Sequence, residues 1–71
     1  MKFERLKDLR IDRDLYQSDI AKILFTTQVQ YSRWESGAFE IPISILILLA
    51  DFYDVSLDYI CGRTNVKAVN K

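Results

Sequence analysis

Residues Gln17–Gly37, QSDIAKILFTTQVQYSRWESG, decide how this chain is read. Apolar residues at helical spacing predict one helix over Gln17–Leu24 and a second over Gln28–Ser36. The corner between them is Phe25-Thr26-Thr27. Thr27 followed three residues later by Gln30 is the T-x-x-Q form of a capping box, so Thr27 is expected to cap the second helix. Gly37 is expected to end it, because glycine enters the left-handed conformation of a helix terminus without a Cβ clash. Ile20, Ala21, Leu24, Tyr31 and Trp34 form the expected inward face. Gln28, Val29, Ser32, Arg33 and Ser36 form the outward one, a stripe of amide, hydroxyls and one guanidinium.

On the N-terminal side, Phe3, Leu6 and Leu9 recur at three- and four-residue spacing and predict a first helix over residues 2–13. Lys2, Glu4, Lys7, Asp8 and Asp12 alternate in sign on its outer face, the pattern of a solvated helix surface. On the C-terminal side, Pro42 fits the first turn of a helix running to about Tyr53, where a missing amide hydrogen costs nothing. Ile45, Leu46, Leu48, Leu49, Phe52 and Tyr53 make that helix apolar on more than one face, and a second apolar face on a small domain points to a partner. Ser56 is expected to cap a last short helix, Leu57–Cys61, ended by Gly62.

The chain has 71 residues, enough for one domain and a small core, and 49% of them are hydrophobic. Its single cysteine, Cys61, excludes an internal disulfide, fits a reducing cytoplasm and reads as a small, partly buried apolar residue. Histidine is absent, so there is no ordinary zinc site and no histidine-based acid–base pair. No glycine-rich phosphate loop or nucleophile–base pair is visible, and no catalytic residue, metal or cofactor is expected. The N-terminus is charged and amphipathic, without the apolar run of a secretory signal. The longest nearly apolar stretch, Ile41–Ala50, is too short to span a bilayer. Net charge is zero, but unevenly spread. Residues 1–36 carry seven basic and six acidic groups, residues 37–62 carry Glu40, Asp51, Asp54 and Asp58 without a cation, and residues 63–71 carry Arg63, Lys67 and Lys71.

The blocks Gln17-x-x-Ile20-Ala21, Tyr31-Ser32-Arg33-Trp34-Glu35-Ser36-Gly37 and Leu49-Ala50-Asp51-Phe52-Tyr53-x-Val55-Ser56, in this order and spacing, carry a resemblance. With Leu9-Arg10, Leu15, Leu24, Thr27, Ile41-Pro42, Leu46, Asp58-Tyr59 and Gly62-Arg63-Thr64, they make residues 3–64 similar to phage-repressor/Cro-type (Xre family) helix-turn-helix domains. The resemblance implies an all-α fold, a compact five-helix bundle of the lambda-repressor-like kind over residues 1–63, with 64–71 a flexible C-terminal tail. It implies that Arg10 pairs with Glu35, fixing the first helix against the third. It also implies that Asp14, where the family usually has glycine, is left-handed.

The same resemblance makes Gln28–Ser36 a recognition helix in the major groove of double-stranded DNA. Gln28 then suits adenine N6 and N7, Arg33 guanine or a phosphate, and Val29 or the Thr27 methyl a thymine methyl. Ser32 and Gln17 suit phosphates, and Ser36 completes the outward stripe. Family members usually dimerise near the C-terminal end, which assigns Tyr53, Val55, Tyr59 and Ile60 to a homodimer interface. The expected function is a cytoplasmic, sequence-specific transcriptional regulator, a repressor on a palindromic operator. Four further residues depart from the pattern. Tyr16 stands where Ser or Thr would cap, leaving Ser18 or Asp19 to help the amides. Phe25 stands at a corner that favours a small residue, so either the turn changes or Phe25 is exposed toward a partner. Ala38 and Glu40 replace the loop cations that usually grip phosphates. These departures and the neutral charge keep a second class open, a protein-interaction or antitoxin-like module of the same fold, with a protein partner and weak or indirect DNA binding.

Overall fold

Five helices, and no strand among the described residues, make up the computed structural model, which describes residues 3–67. They are α1 (Glu4–Asp12), α2 (Gln17–Ile23), α3 (Gln28–Ser36), α4 (Ile43–Tyr53) and α5 (Leu57–Ile60). Lys2, the expected start of the first helix, lies outside the described residues. Pro42 precedes α4, in extended conformation, rather than forming its first turn.

The local chemistry at each terminus explains the boundaries. Thr27 Oγ1 accepts from the Gln30 amide at 3.1 Å, and Ser56 Oγ from the Tyr59 amide at 3.0 Å. Tyr16 contributes no side-chain cap to α2; instead the Asp19 carboxylate accepts from the Tyr16 amide at 2.8 Å. Helices α1, α2, α4 and α5 each end with a left-handed residue, Asp14, Phe25, Asp54 and Gly62, at φ 56, 57, 54 and 80°. In each, the next amide reaches back to a carbonyl five residues earlier: Leu15 to Arg10, Thr26 to Ala21, Val55 to Ala50 and Arg63 to Asp58, at 2.8–3.1 Å. The left-handed residue's own amide reaches back three residues, Asp14 to Ile11, Phe25 to Lys22, Asp54 to Asp51 and Gly62 to Tyr59, and this paired closure satisfies last-turn carbonyls and reverses the chain within a few residues.

Leu6 and Leu9 of α1, Ile20 and Ala21 of α2, Leu24, Tyr31 of α3, Leu46, Leu49, Ala50 and Tyr53 of α4, and Ile60 of α5 meet in one core. Helices α2 and α3 pack chiefly on each other, α1 lies against α3 and α5, and α4 against α5. The Arg13 guanidinium donates to the Tyr53 carbonyl at 3.0 Å, placing a cation at the C-terminal end of α4, where the helix dipole favours it.

Two expectations change. Cys61 is exposed rather than partly buried. Of the residues assigned to a dimer interface, Tyr53, Val55 and Ile60 are buried in the domain's own core and leave little surface for a second copy. Tyr59 is half-buried, with the Arg5 guanidinium 4.2 Å and the Lys67 ammonium 5.9 Å from its ring centre. Of the expected tail, residues 64–67 lie along the body. Arg5 donates to the carbonyls of Tyr59 and Thr64 and to the Asn65 side chain, and the Ser56 amide donates to the Lys67 carbonyl. Residues 68–71 lie outside the described residues.

Of the two alternatives for Phe25, the turn does not change: the corner keeps positive φ, and the side chain is 98% exposed. A bulky residue there loses roughly 1–2 kcal/mol to the clash between Cβ and the following carbonyl and regains nothing from burial. Phe25→Gly is therefore expected to stabilise the domain by about 1 kcal/mol after glycine's own entropy cost, a rise of roughly 4–8 °C in melting temperature. A Tm unchanged or lowered in a calorimetric scan contradicts this account of the corner.

Candidate nucleic-acid interface

The packing of α2 against α3, with Tyr31 wholly buried and Trp34 half-buried, leaves one face of α3 outward. Gln28, Val29 and Arg33 are exposed and Ser32 half-exposed. With Gln17 at the start of α2 they line an open hollow of about 540 Å³. A second hollow, about 300 Å³, is lined by Lys7, Arg10, Gln17, Glu35 and Ser36. Gln17 belongs to both, so one concave strip runs from α1 across the head of α2 and along α3.

Under this strip lies a charged pair. Arg10 Nε donates to Glu35 Oε2 at 3.1 Å and Nη2 to Oε1 at 3.0 Å, while Nη1 donates to the Leu15 carbonyl at 3.0 Å. The side chains are only 12% and 5% exposed. Gln17 Nε2 approaches Oε1 at 3.4 Å. Burial alone would raise the Glu35 pKa, but hydrogen bonds from Arg10 outweigh it, with help from Tyr31 and Gln17, and the net shift is downward. The Tyr31 hydroxyl lies close enough to favour the carboxylate's charge, yet makes no hydrogen bond of normal geometry, and burial raises its own pKa.

The expected DNA-facing residues divide into two groups. Gln28, Val29, Ser32 and Arg33 share one open surface. Thr27, Gln17 and Ser36 have internal work: Thr27 caps α3, Gln17 leans on Glu35, and the Ser36 hydroxyl donates to the Arg33 carbonyl at 3.2 Å and accepts from the Ala38 amide at 3.4 Å. Two neighbours escaped the sequence reading. Lys7, read as part of a solvated face, lines the second hollow. Phe39 stands with its ring centre 5.2 Å from the Arg33 guanidinium carbon. An aromatic residue between Ala38 and Glu40 in a loop was the available signal. Among the described residues no cluster of potential metal ligands occurs.

The Helix-turn-helix family profile matches residues 6–60. Over 62 residues the chain is 34% identical to the uncharacterized HTH-type transcriptional regulator YobD of Bacillus subtilis strain 168, covering 87% of this chain and 55% of that protein. Over 65 residues it is 37% identical to the uncharacterized HTH-type transcriptional regulator YqaE of the same organism, covering 90% and 56%. The chain thus spans about half the length of these curated relatives. No solved structure matches it significantly.

Because the Glu35 pKa is lowered on folding, the pair's stabilisation is fully present above the unfolded carboxylate pKa, roughly 4.3. It is lost as the pH falls through the lower folded value. Urea midpoints of wild type and Glu35→Gln are expected to differ at pH 7 and to converge as the pH drops from 5 toward 3. Arg10→Ala, which strands the carboxylate, is expected to cost about 3 kcal/mol at pH 7.

Proposed function

The chain belongs to the Xre-type helix-turn-helix family, and from that premise we propose that it is a sequence-specific DNA-binding transcriptional regulator acting in the cytoplasm as a dimeric repressor on a palindromic operator. The observation that carries this reading is the α3 face. Gln28, Val29, Ser32 and Arg33 are solvent-accessible on one concave surface, and no internal side-chain hydrogen bond occupies them among the described residues. Gln28 then reads adenine through N6 and N7, Arg33 guanine through O6 and N7, and Val29 packs on a thymine methyl. Ser32 and Lys7 take phosphates, which fix register without reading sequence. Nothing in this assignment involves chemistry on the DNA, so the proposed activity is binding alone.

A two-fold operator needs a second copy. With Tyr53, Val55 and Ile60 buried, one apolar surface left to it is the outer side of α4, where Ile43, Ile47 and Leu48 are all exposed. A two-fold dimer reading successive major grooves holds its two α3 helices about one DNA turn, ~34 Å, apart. Lys7 and Arg33 are the free cations on the strip. With Arg33 on a base and Lys7 on a phosphate, a dimer releasing counterions from about two phosphates has a log–log salt slope of roughly −2. No described helix is long and apolar enough to cross a membrane. The protein-interaction or antitoxin-like reading is favoured by one observation, Phe25, an aromatic ring held almost wholly in solvent at a strained corner.

Selection from a random duplex pool at low salt tests these readings. Wild type is expected to enrich a two-fold symmetric site. Gln28→Ala and Arg33→Ala are each expected to relax one position by about 1–3 kcal/mol. Ile47→Lys is expected to reduce binding to single half-sites. A folded wild type that enriches no sequence refutes operator binding and moves the assignment to the interaction module, whose partner contacts Phe25→Ala would weaken.

A further inference from the structure

Arg33 is held differently from every other described arginine. Arg5 and Arg13 donate to backbone carbonyls, Arg10 to Glu35, and Arg63 lies 3.9 Å from the Asp58 carboxylate. Among the described residues Arg33 meets no side-chain or backbone acceptor through its guanidinium; its one side-chain partner is the Phe39 ring. We propose that Phe39 is a positioning residue for base recognition, holding the Arg33 guanidinium in place while leaving its N–H donors free for a base edge. The proposal rests on the reading of α3 as the base-contacting helix.

The local backbone brings the ring to this place. Gly37, at φ 83°, turns the chain back at the end of α3. The Phe39 amide then donates to the Arg33 carbonyl at 3.2 Å, and the Ser36 hydroxyl donates to the same oxygen. The loop is therefore fastened to the turn that carries Arg33. Phe39 is half-exposed and stands apart from the core cluster, so core burial does not account for an aromatic residue here.

The chemistry of the partner matters. A carboxylate beside Arg33 would neutralise its charge and occupy the fork of N–H groups that a guanine needs. The negative face of an aromatic ring attracts the cation without taking up its hydrogen bonds. It also restricts a long side chain before DNA arrives, so less rotamer freedom is lost on binding. Ring and guanidinium together form a pre-aimed donor.

The test combines pool selection with a measurement on the free protein, using wild type, Phe39→Ala, Phe39→Leu, Phe39→Tyr and Arg33→Ala. Phe39→Ala and Phe39→Leu are expected to weaken preference about two- to five-fold, the magnitude of one exposed cation–π contact. The loss should fall at the base pair that Arg33→Ala relaxes. Phe39→Tyr should retain the preference, and Phe39→Ala should add nothing in an Arg33→Ala background. In the free protein, nitrogen-15 relaxation of the Arg33 Nε–H should show greater mobility in Phe39→Ala and Phe39→Leu than in wild type or Phe39→Tyr. Unchanged mobility overturns the proposal, as does a Phe39→Ala loss spread evenly over all sequences. Enrichment by wild type with an unaltered Phe39→Ala profile also overturns it, while leaving base reading by α3 intact. A wild type that enriches nothing overturns base reading itself, and this inference with it.

Discussion

The bidentate contact between Arg10 and Glu35 ties three helices at one point. Arg10 belongs to α1, Glu35 to the last turn of α3, and Gln17 at the head of α2 leans on the same carboxylate. A nearly inaccessible carboxylate is costly to hold without a partner, because burial disfavours its charge. Its folded position is therefore the one that keeps the guanidinium within reach. Arg10 also donates to the Leu15 carbonyl, which steadies the turn between α1 and α2. The outward direction of Gln28, Val29 and Arg33 follows, since α3 can neither roll nor slide without breaking both Arg10–Glu35 bonds.

The helix ends supply the second constraint. Short helices gain little from propensity and depend on packing and on termination in the right direction. Four of them turn through a left-handed residue with the same pair of back-reaching amides, and only α5 uses glycine there. Asp14 and Asp54 tolerate the conformation because Asp is among the residues enriched in it. Phe25 has no such tolerance, yet the Thr26 amide still reaches the Ala21 carbonyl. The α2–α3 packing and the Thr27 cap that follow are strong enough to impose the turn on an unsuitable side chain.

Charge is arranged locally rather than in bulk. The zero net charge hides an acidic stretch over residues 37–62, from the α3–α4 loop to α5, and a concave strip where Lys7 and Arg33 are the cations with no acidic partner among the described residues. Arg10 is in the same hollow but neutralised by Glu35. Such a surface favours a few well-placed contacts over broad attraction to the phosphate backbone. The Arg33 guanidinium beside the Phe39 ring fits that arrangement, since in the proposed role one aimed guanidinium would stand in for several loosely held cations.

The periodicity of Leu6 and Leu9, the Thr27 and Ser56 caps and the Gly37 and Gly62 stops made the five-helix order legible in sequence. Each is a local signal within a turn or two of the chain. The resemblance added the helix-turn-helix arrangement and the outward stripe from Gln28 to Arg33. Sequence by itself did not divide the apolar residues between core and surface. Tyr53, Val55 and Ile60 went inward while Ile43, Ile47 and Leu48 stayed out, because α4 is apolar on more than one face and only the packing of α4 and α5 into the bundle chose which residues face the core. Nor did sequence show that Gln17 would lean on Glu35 or that Phe39 would lie over Arg33. Those contacts join residues by way of helix orientation and loop path, and only the assembled bundle sets these.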